Sequence, residues 1–176
     1  MKKTQKACLP VGRGFTLIEI LVVIGIIAIL AAIVIIAINP AKQFAQARNS
    51  QRTANVTAIL NGIGQRIADN KGVFAGTFTI GATTYTCSPL PAIATGATPT
   101  AVGVTTMAPD TTTASPDLGC LTPTYLPTLP TDPSNPTAPS IGYQVGVDPQ
   151  GRVTVCSTAA ASETSVPNAA NICVTR

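Results

Sequence analysis

The chain has 176 residues, 10% of them charged and 4% aromatic, with a formal net charge of +4. Its 15 prolines and 14 glycines argue against a mostly helical globule, and its length allows one ordinary domain with an appendage. The chain has no histidine, so catalysis by imidazole is excluded, and most acid–base and metal chemistry lacks its usual side chain.

The positive charge is concentrated at the N-terminus. Residues 1–14 contain no acid and four basic side chains, namely Lys2, Lys3, Lys6 and Arg13. The remainder has seven basic and seven acidic residues and is neutral overall. Within it, residues 39–71 have one acid and five cations, namely Lys42, Arg48, Arg52, Arg66 and Lys71. This second basic stretch could contact nucleic-acid phosphate.

Residues 15–38 form the most apolar stretch, with Thr16 and Glu19 as their only polar side chains. A helix over the nineteen uninterrupted apolar residues from Ile20 would reach roughly 28 Å, close to the hydrocarbon thickness of a bilayer. The run is longer than the apolar core of a cleaved secretory signal, which has about 7–15 residues. The rest of the chain is too small and proline-rich to enclose it as a core helix. We expect membrane insertion, and the basic leader favours an N-terminus in the cytoplasm.

Glu19 does not fit a simple membrane anchor. A carboxylate inside a span costs about 2.5–3.5 kcal/mol on insertion scales, and acids in spans are by default functional. We therefore expect Glu19 to pair with a cation.

The sequence GFTLIE at residues 14–19, between a basic leader and an apolar run, resembles the prepilin signature of type IV pilins and type II secretion pseudopilins. The resemblance implies that a membrane prepilin peptidase removes leader 1–14 by cutting between Gly14 and Phe15, and then N-methylates the Phe15 amine. It also implies that the apolar helix first anchors the subunit in the cytoplasmic membrane and later packs into the core of a helical filament, in the periplasm or outside the cell.

Several partners follow from the resemblance: further copies of the chain, the prepilin peptidase, an inner-membrane assembly platform and the lipid bilayer. No small-molecule substrate, cofactor or metal is implied. Cleavage after Gly14 would create an ammonium at Phe15, and pairing with a neighbouring subunit's Phe15 amine would offset the cost of burying Glu19. Phe15 and Glu19 are thus the predicted assembly residues.

Pro40 should kink or open the helix, because proline removes a backbone donor and clashes with the preceding turn. The helix then resumes as an amphipathic half at residues 39–71. Its apolar positions follow helical spacing and are Val56, Ile59, Leu60, Ile63 and Ile67. This stripe should lie on a small sheet, and Lys71-Gly72 predicts the end of a nearly continuous helix that begins at Phe15.

Residues 72–176 have the composition of a β-rich head. Residues 73–87 resemble strands, and residues 88–140, which hold 11 of the 15 prolines, should be mostly loop. Two alternating stretches around Asp148-Pro149-Gln150-Gly151 predict a hairpin, and residues 171–175 a last strand. The expected fold is therefore α+β and type IV pilin-like: a long N-terminal α-helix, kinked near Pro40, packed on a small antiparallel β-sheet head with long Pro/Thr-rich loops.

Four cysteines remain after cleavage, namely Cys87, Cys120, Cys156 and Cys173. An even number in a head outside the cytoplasm implies two disulfides, with three possible connectivities. We favour Cys87 with Cys120 and Cys156 with Cys173.

The leading functional hypothesis is a structural filament subunit without catalysis of its own. One alternative is a DNA-binding minor pilin of an uptake pilus that uses the cations of residues 39–71. We instead expect these cations to face solvent or to contact a neighbouring subunit, because filament packing would largely cover this helix. A second is a membrane-anchored enzyme, which the sparse head acids disfavour: they are Asp110, Asp117, Asp132, Asp148 and Glu163. A calcium site at Asp132 or Asp148 is a further, weaker possibility. The sequence leaves open whether the filament is a surface pilus, a secretion pseudopilus or an uptake pilus.

Overall fold

A computed structural model describes residues 14–93, 99–103, 118–134 and 140–176. The leader before Gly14, Asp110, Asp117 and much of the predicted loop lie outside these ranges. Two compact units are present, Met1–Pro40 and Ala41–Arg176. Together they form the predicted α+β, pilin-like arrangement of an apolar helix, a long amphipathic helix and small antiparallel sheets.

The first unit contains helix α1, Leu17–Ala37. Its apolar residues surround the helix axis without favouring one face, and their large side chains are all exposed, from 47% at Val23 to 86% at Ile36. Residues Leu17–Ile36 are long and apolar enough to cross a membrane. Length and composition thus fit a membrane-spanning helix.

The predicted opening of the helix near Pro40 is confirmed, and it divides the stretch from Phe15 to Lys71 into two helices. Ile38 is extended, with φ −99° and ψ 119°, and helix α2 spans Pro40–Asp69. Asn39, the residue directly before Pro40, also lies in neither helix. A residue that precedes proline is disfavoured in the helical region, whereas proline itself is tolerated in the first turn. The helix is therefore interrupted before Pro40. At the other end, Lys71 (φ 55°) and Gly72 (φ 92°) take left-handed conformations, and Gly72 N–H bonds the Ile67 carbonyl at 2.8 Å.

The predicted apolar stripe of α2 faces the head core. Val56, Ile59 and Ile63 are completely buried, Leu60 is 2% exposed, and Ile67 packs against the same cluster. Their partners in the cluster are sheet residues, Ile141, Tyr143, Val145, Val153 and Val155. Gly62 lies close to a loop side chain, since a Cβ there would be 3.1 Å from Leu126 Cγ and that side chain would have to shift.

The described residues of the head form two antiparallel sheets. Strands β1 (Gly76–Ile80) and β2 (Thr83–Cys87) form a hairpin. Strands β3 (Thr100–Gly103), β4 (Ser140–Val147), β5 (Val153–Ser157) and β6 (Ile172–Thr175) form the second sheet in the order β3-β4-β5-β6. The hairpin around Asp148–Gly151 and the last strand are confirmed. Strand β3 lies inside the stretch predicted to be mostly loop.

The described part of the proline-rich stretch contributes to the core. A short 3₁₀ helix, Gly119–Leu121, buries Leu118 and Leu121 completely. A second 3₁₀ helix, Ala159–Ser162, follows β5. A parallel bridge joins Ala92 to Val147, and a Cβ at the adjacent Gly146 would lie only 2.5 Å from Ile93 Cγ2. Loop segments thus close the sheet against α2.

Ile63→Ala tests the packing of α2 on the head. Ile63 is completely buried, so its truncation should lower the free energy of unfolding by about 2–5 kcal/mol. Chemical unfolding of the full chain in micelles, followed by tyrosine circular dichroism, measures this. Ile80→Ala is the matched control because Ile80 is 42% exposed. Equal effects of the two substitutions would contradict the assigned core.

Candidate processing and assembly site

The residues of the predicted cleavage site lie in exposed chain directly before α1. Gly14, Phe15 and Thr16 are outside any helix or strand, and Phe15 is 78% exposed. No other group lies within 4 Å of where a Gly14 Cβ would be. The fold of the described residues therefore imposes no requirement for glycine at this position.

Thr16 fixes the start of α1. It has the extended conformation of an N-cap residue, with φ −80° and ψ 150°, and its hydroxyl accepts the Glu19 N–H at 3.3 Å. Threonine followed three residues later by glutamate is the capping-box pattern. The helix thus begins after the Gly14–Phe15 bond, so that removal of the leader would leave its cap in place.

Glu19 lies in the first turn of α1 and is the only acid of that helix. The helix dipole favours a negative charge at this end. Phe15 and Glu19 belong to the same unit and lie four residues apart, but Phe15 precedes the helix. The geometry puts an acid and the predicted new N-terminus at one end of an apolar helix.

A second polar cluster, which the sequence analysis missed, lies in the head and surrounds Arg52. This side chain is 1% exposed. Its Nε and Nη2 donate to Asp132 Oδ2 and Oδ1 at 2.8 and 3.1 Å, and its Nη1 donates to Glu163 Oε1 at 2.6 Å. Ser134 and Asn49 also accept from it, at 2.6 and 2.7 Å. Arg48 donates to Glu163 at 2.8 and 2.5 Å. We call these residues the Arg52 cluster.

The Arg52 cluster holds its carboxylates ionised. Hydrogen bonds from Arg48 and then from Arg52 lower the pKa of Glu163 to about 2. Burial by itself raises the pKa of Asp132, but hydrogen bonds from Arg52 and Ser134 outweigh it, and the net pKa lies below the ordinary value. The cluster therefore ties α2 to two distant loop segments by charge-assisted hydrogen bonds.

We expected the basic side chains of residues 39–71 to face solvent or a neighbouring subunit. This expectation was wrong for Arg52 and Arg66, which are buried in the head. Arg66 is 3% exposed, donates to the carbonyls of Phe74 and Gly76, and stacks 4.5 Å over the Phe78 ring. Both arginines follow the helical spacing of the buried stripe, which is the signal that could have identified them. Arg48, Arg52 and Arg66 are all engaged within the head, and this weakens the DNA-binding alternative.

The two acids considered for calcium are bound by arginines. Asp132 bonds Arg52, and Asp148 accepts Arg152 Nε at 2.7 Å as well as the backbone N–H groups of Gln150 and Arg152. In the described ranges, no group of three or more histidine, cysteine or acidic residues could hold a metal ion. The two carboxylates that calcium would need are therefore already paired with arginine side chains.

The two disulfides have the connectivity favoured from the sequence. Cys87 at the end of β2 bonds Cys120 in the first 3₁₀ helix, with S–S 2.04 Å. Cys156 and Cys173 are directly opposite on β5 and β6, with S–S 2.08 Å. Each bridge therefore joins segments that are adjacent in space and distant in sequence.

The Arg52 cluster predicts how head stability depends on pH. The folded-state pKa of Glu163, about 2, lies below the value of about 4.3 expected for an unfolded chain. The ionised Glu163 therefore makes its full contribution to the stability of the folded head above pH about 4.3, and this contribution is lost as the pH falls toward about 2. Glu163→Gln should be less stable near pH 7 and show a flatter pH profile between these values. Denaturant unfolding of the full chain in micelles measures both, with Ser162→Ala as a neighbouring uncharged control. An unchanged slope in Glu163→Gln would contradict the assignment.

Comparison with known proteins locates a family motif at the N-terminus. A family model described as "Prokaryotic N-terminal methylation motif" matches residues 12–35. No curated protein and no solved structure matches the chain. The matched residues span the exposed Gly14–Phe15 bond, the Thr16 cap, Glu19 and most of α1. Residues 12–35 therefore carry the prepilin signature of type IV pilins and pseudopilins, on a chain whose head and helices have a pilin-like α+β arrangement.

Proposed function

We propose that this chain is a structural subunit of a type IV pilus-like or pseudopilus filament. Its helix α1 inserts in the cytoplasmic membrane with the N-terminus on the cytoplasmic side. Prepilin peptidase then removes the leader 1–14 and methylates the Phe15 amine. An inner-membrane platform assembles the subunits by packing their α1 helices together, and the filament ends in the periplasm or outside the cell.

The observation that carries this proposal is the methylation motif at residues 12–35 on a helix that is apolar around its whole circumference. A helix with one apolar stripe would need a partner on one side only. The 21 residues of α1 extend about 32 Å at 1.5 Å per residue, the thickness of a bilayer core. Lipid before assembly and other α1 helices after it would both cover such a surface.

Glu19 and Phe15 have complementary roles in this proposal. In the filament core, the Glu19 carboxylate pairs with the Phe15 ammonium of a neighbouring subunit, and each charge offsets the burial cost of the other. The Thr16 cap holds Glu19 in the first turn, where the helix dipole also favours its charge. Such a pair would fix the axial register between subunits.

The acids of the described head support a structural role over catalysis. Asp132, Asp148 and Glu163 each bond an arginine. A nucleophile or general base would have to be released from these bonds before it could react. The Arg52 cluster is better suited to hold the loops of the head on α2.

Glu19→Gln tests the assembly role without changing the size of the side chain. Membrane insertion and cleavage after Gly14 should remain, because the span becomes more apolar. Filament yield should fall by more than about tenfold, since breaking a buried ion pair costs about 3–5 kcal/mol at every subunit addition. In a host with prepilin peptidase and an assembly platform, sheared filaments and membrane-held subunit are quantified together.

Glu19→Asp is the matched control, because it keeps the charge and should retain part of the yield. Wild-type filament yield from Glu19→Gln would show that the carboxylate has no role in assembly.

A further inference from the structure

Phe44 projects an apolar side chain from the first turns of α2. It is 66% exposed and is the most exposed of the large apolar side chains described after Ile38. Ala41 and Ala47, three residues before and after it, are exposed as well, whereas Ala45 is completely buried. The helix α2 therefore begins with a small apolar surface on a side that the head does not cover. We call Ala41, Phe44 and Ala47 the Phe44 patch.

The Phe44 patch lies close in the chain to the end of the apolar helix. A helix over the nineteen apolar residues that end at Ile38 is roughly 28 Å long and fills the hydrocarbon layer of a bilayer. Two extended steps to Pro40 and four helical steps to Phe44 then add at most about 13 Å. The headgroup layer is about 5–8 Å thick on each side. The chain is thus short enough to keep Phe44 at or near this layer.

A phospholipid headgroup layer matches the chemistry of the Phe44 patch. Interfacial helices bury Phe, Trp or Leu about 5–10 Å deep at the boundary of headgroups and acyl chains, with Lys or Arg beside them. Lys42 lies two residues before Phe44, and residues 20–68 contain no acid that anionic lipid would repel. Val73 and Ile80, the other exposed large apolar residues of the described head, follow the far end of α2, about 45 Å of helix away. The most exposed one is therefore the one nearest the membrane.

We propose that the Phe44 patch enters the headgroup layer of the membrane that α1 spans, and holds the start of α2 at the membrane surface before the subunit is assembled. This contact rests on the membrane insertion in the proposed function. The interruption between Ala37 and Pro40 lets the start of α2 lie along the surface while α1 crosses the bilayer. Assembly, which takes the subunit out of the membrane, has to release the contact.

Tryptophan fluorescence in vesicles tests the contact. The chain has no tryptophan, so Phe44→Trp introduces a single reporter at the patch. The full chain is reconstituted in vesicles of phosphatidylethanolamine and phosphatidylglycerol, with bromine atoms at a shallow or a deep position of the acyl chains. Shallow bromines should quench Phe44→Trp at least about threefold more than Gln51→Trp, because interfacial side chains lie about 5–10 Å deep. Gln51 is the matched control, since it is exposed on the same side of α2 and lies about 10 Å further along the helix.

A second reporter keeps the native phenylalanine. Gln43 is exposed beside Phe44, and Gln43→Trp leaves the phenyl ring in place. Adding Phe44→Ser should lower the quenching of this reporter by shallow bromines about threefold, because serine removes the apolar group that enters the layer. Adding Gln51→Ser should leave the quenching unchanged. The unfolding midpoint of the head should stay the same in both variants, since both side chains are exposed.

Ile27→Trp, in the middle of α1, reports insertion itself and should be quenched by deep bromines. With that control quenched, a Phe44→Trp signal no more quenched than Gln51→Trp places the patch in water, and a short-wavelength emission that does not respond to bromine places it against protein. Either result overturns the contact and leaves the proposed function intact, and so does a Gln43→Trp reporter that Phe44→Ser does not change. An unquenched Ile27→Trp overturns membrane insertion and therefore both proposals.

Discussion

Helix α1 sets the main physical constraint on this protein, because its apolar side chains point in every direction and none of its large ones is covered within the described chain. Burial of apolar surface contributes about 25 cal/mol per Å², so exposure of such a helix to water is strongly unfavourable. A bilayer and a bundle of identical helices are two environments that cover it completely. The proposed passage of the subunit from membrane to filament keeps α1 out of water at every stage. The two environments differ for Glu19, because only the filament brings the Phe15 ammonium of a neighbouring subunit to its carboxylate.

The head depends on a different interaction. Arg52 is fully enclosed and satisfied by two carboxylates, a hydroxyl and an amide. Removal of one partner from such a buried pair leaves an uncompensated charge and costs about 3–5 kcal/mol. The cluster fixes α2 to loops that are 80 and 111 residues away in sequence. Together with two disulfides, it stabilises a head that has few aromatic residues.

Local signals predicted the helices, the main hairpin and the last strand, because their hydrophobic periods and turn residues are encoded in short segments. The opening of the helix at Pro40 was also predicted from a local signal, because proline removes a backbone donor and restricts the residue before it. Strand β3 was missed because its pairing with β4 depends on distant partners. Arg52 and Arg66 were taken for exposed residues, although helical spacing from Val56 and Ile63 puts them on the buried face. Their partners, which lie in loops and on the β1 segment, carry no sequence pattern that reveals the contact.

The central claim is that α1 is retained as the N-terminal element of a processed subunit. Intact mass and N-terminal sequencing of the chain, extracted from membranes and from sheared filaments of the same cells, test it most directly. We predict one mature species in both fractions, beginning at N-methylated Phe15 and containing two oxidised cysteine pairs. A chain that keeps Lys2 through Gly14, or one cut within α1 after Ala31 or Ala32, would contradict the account.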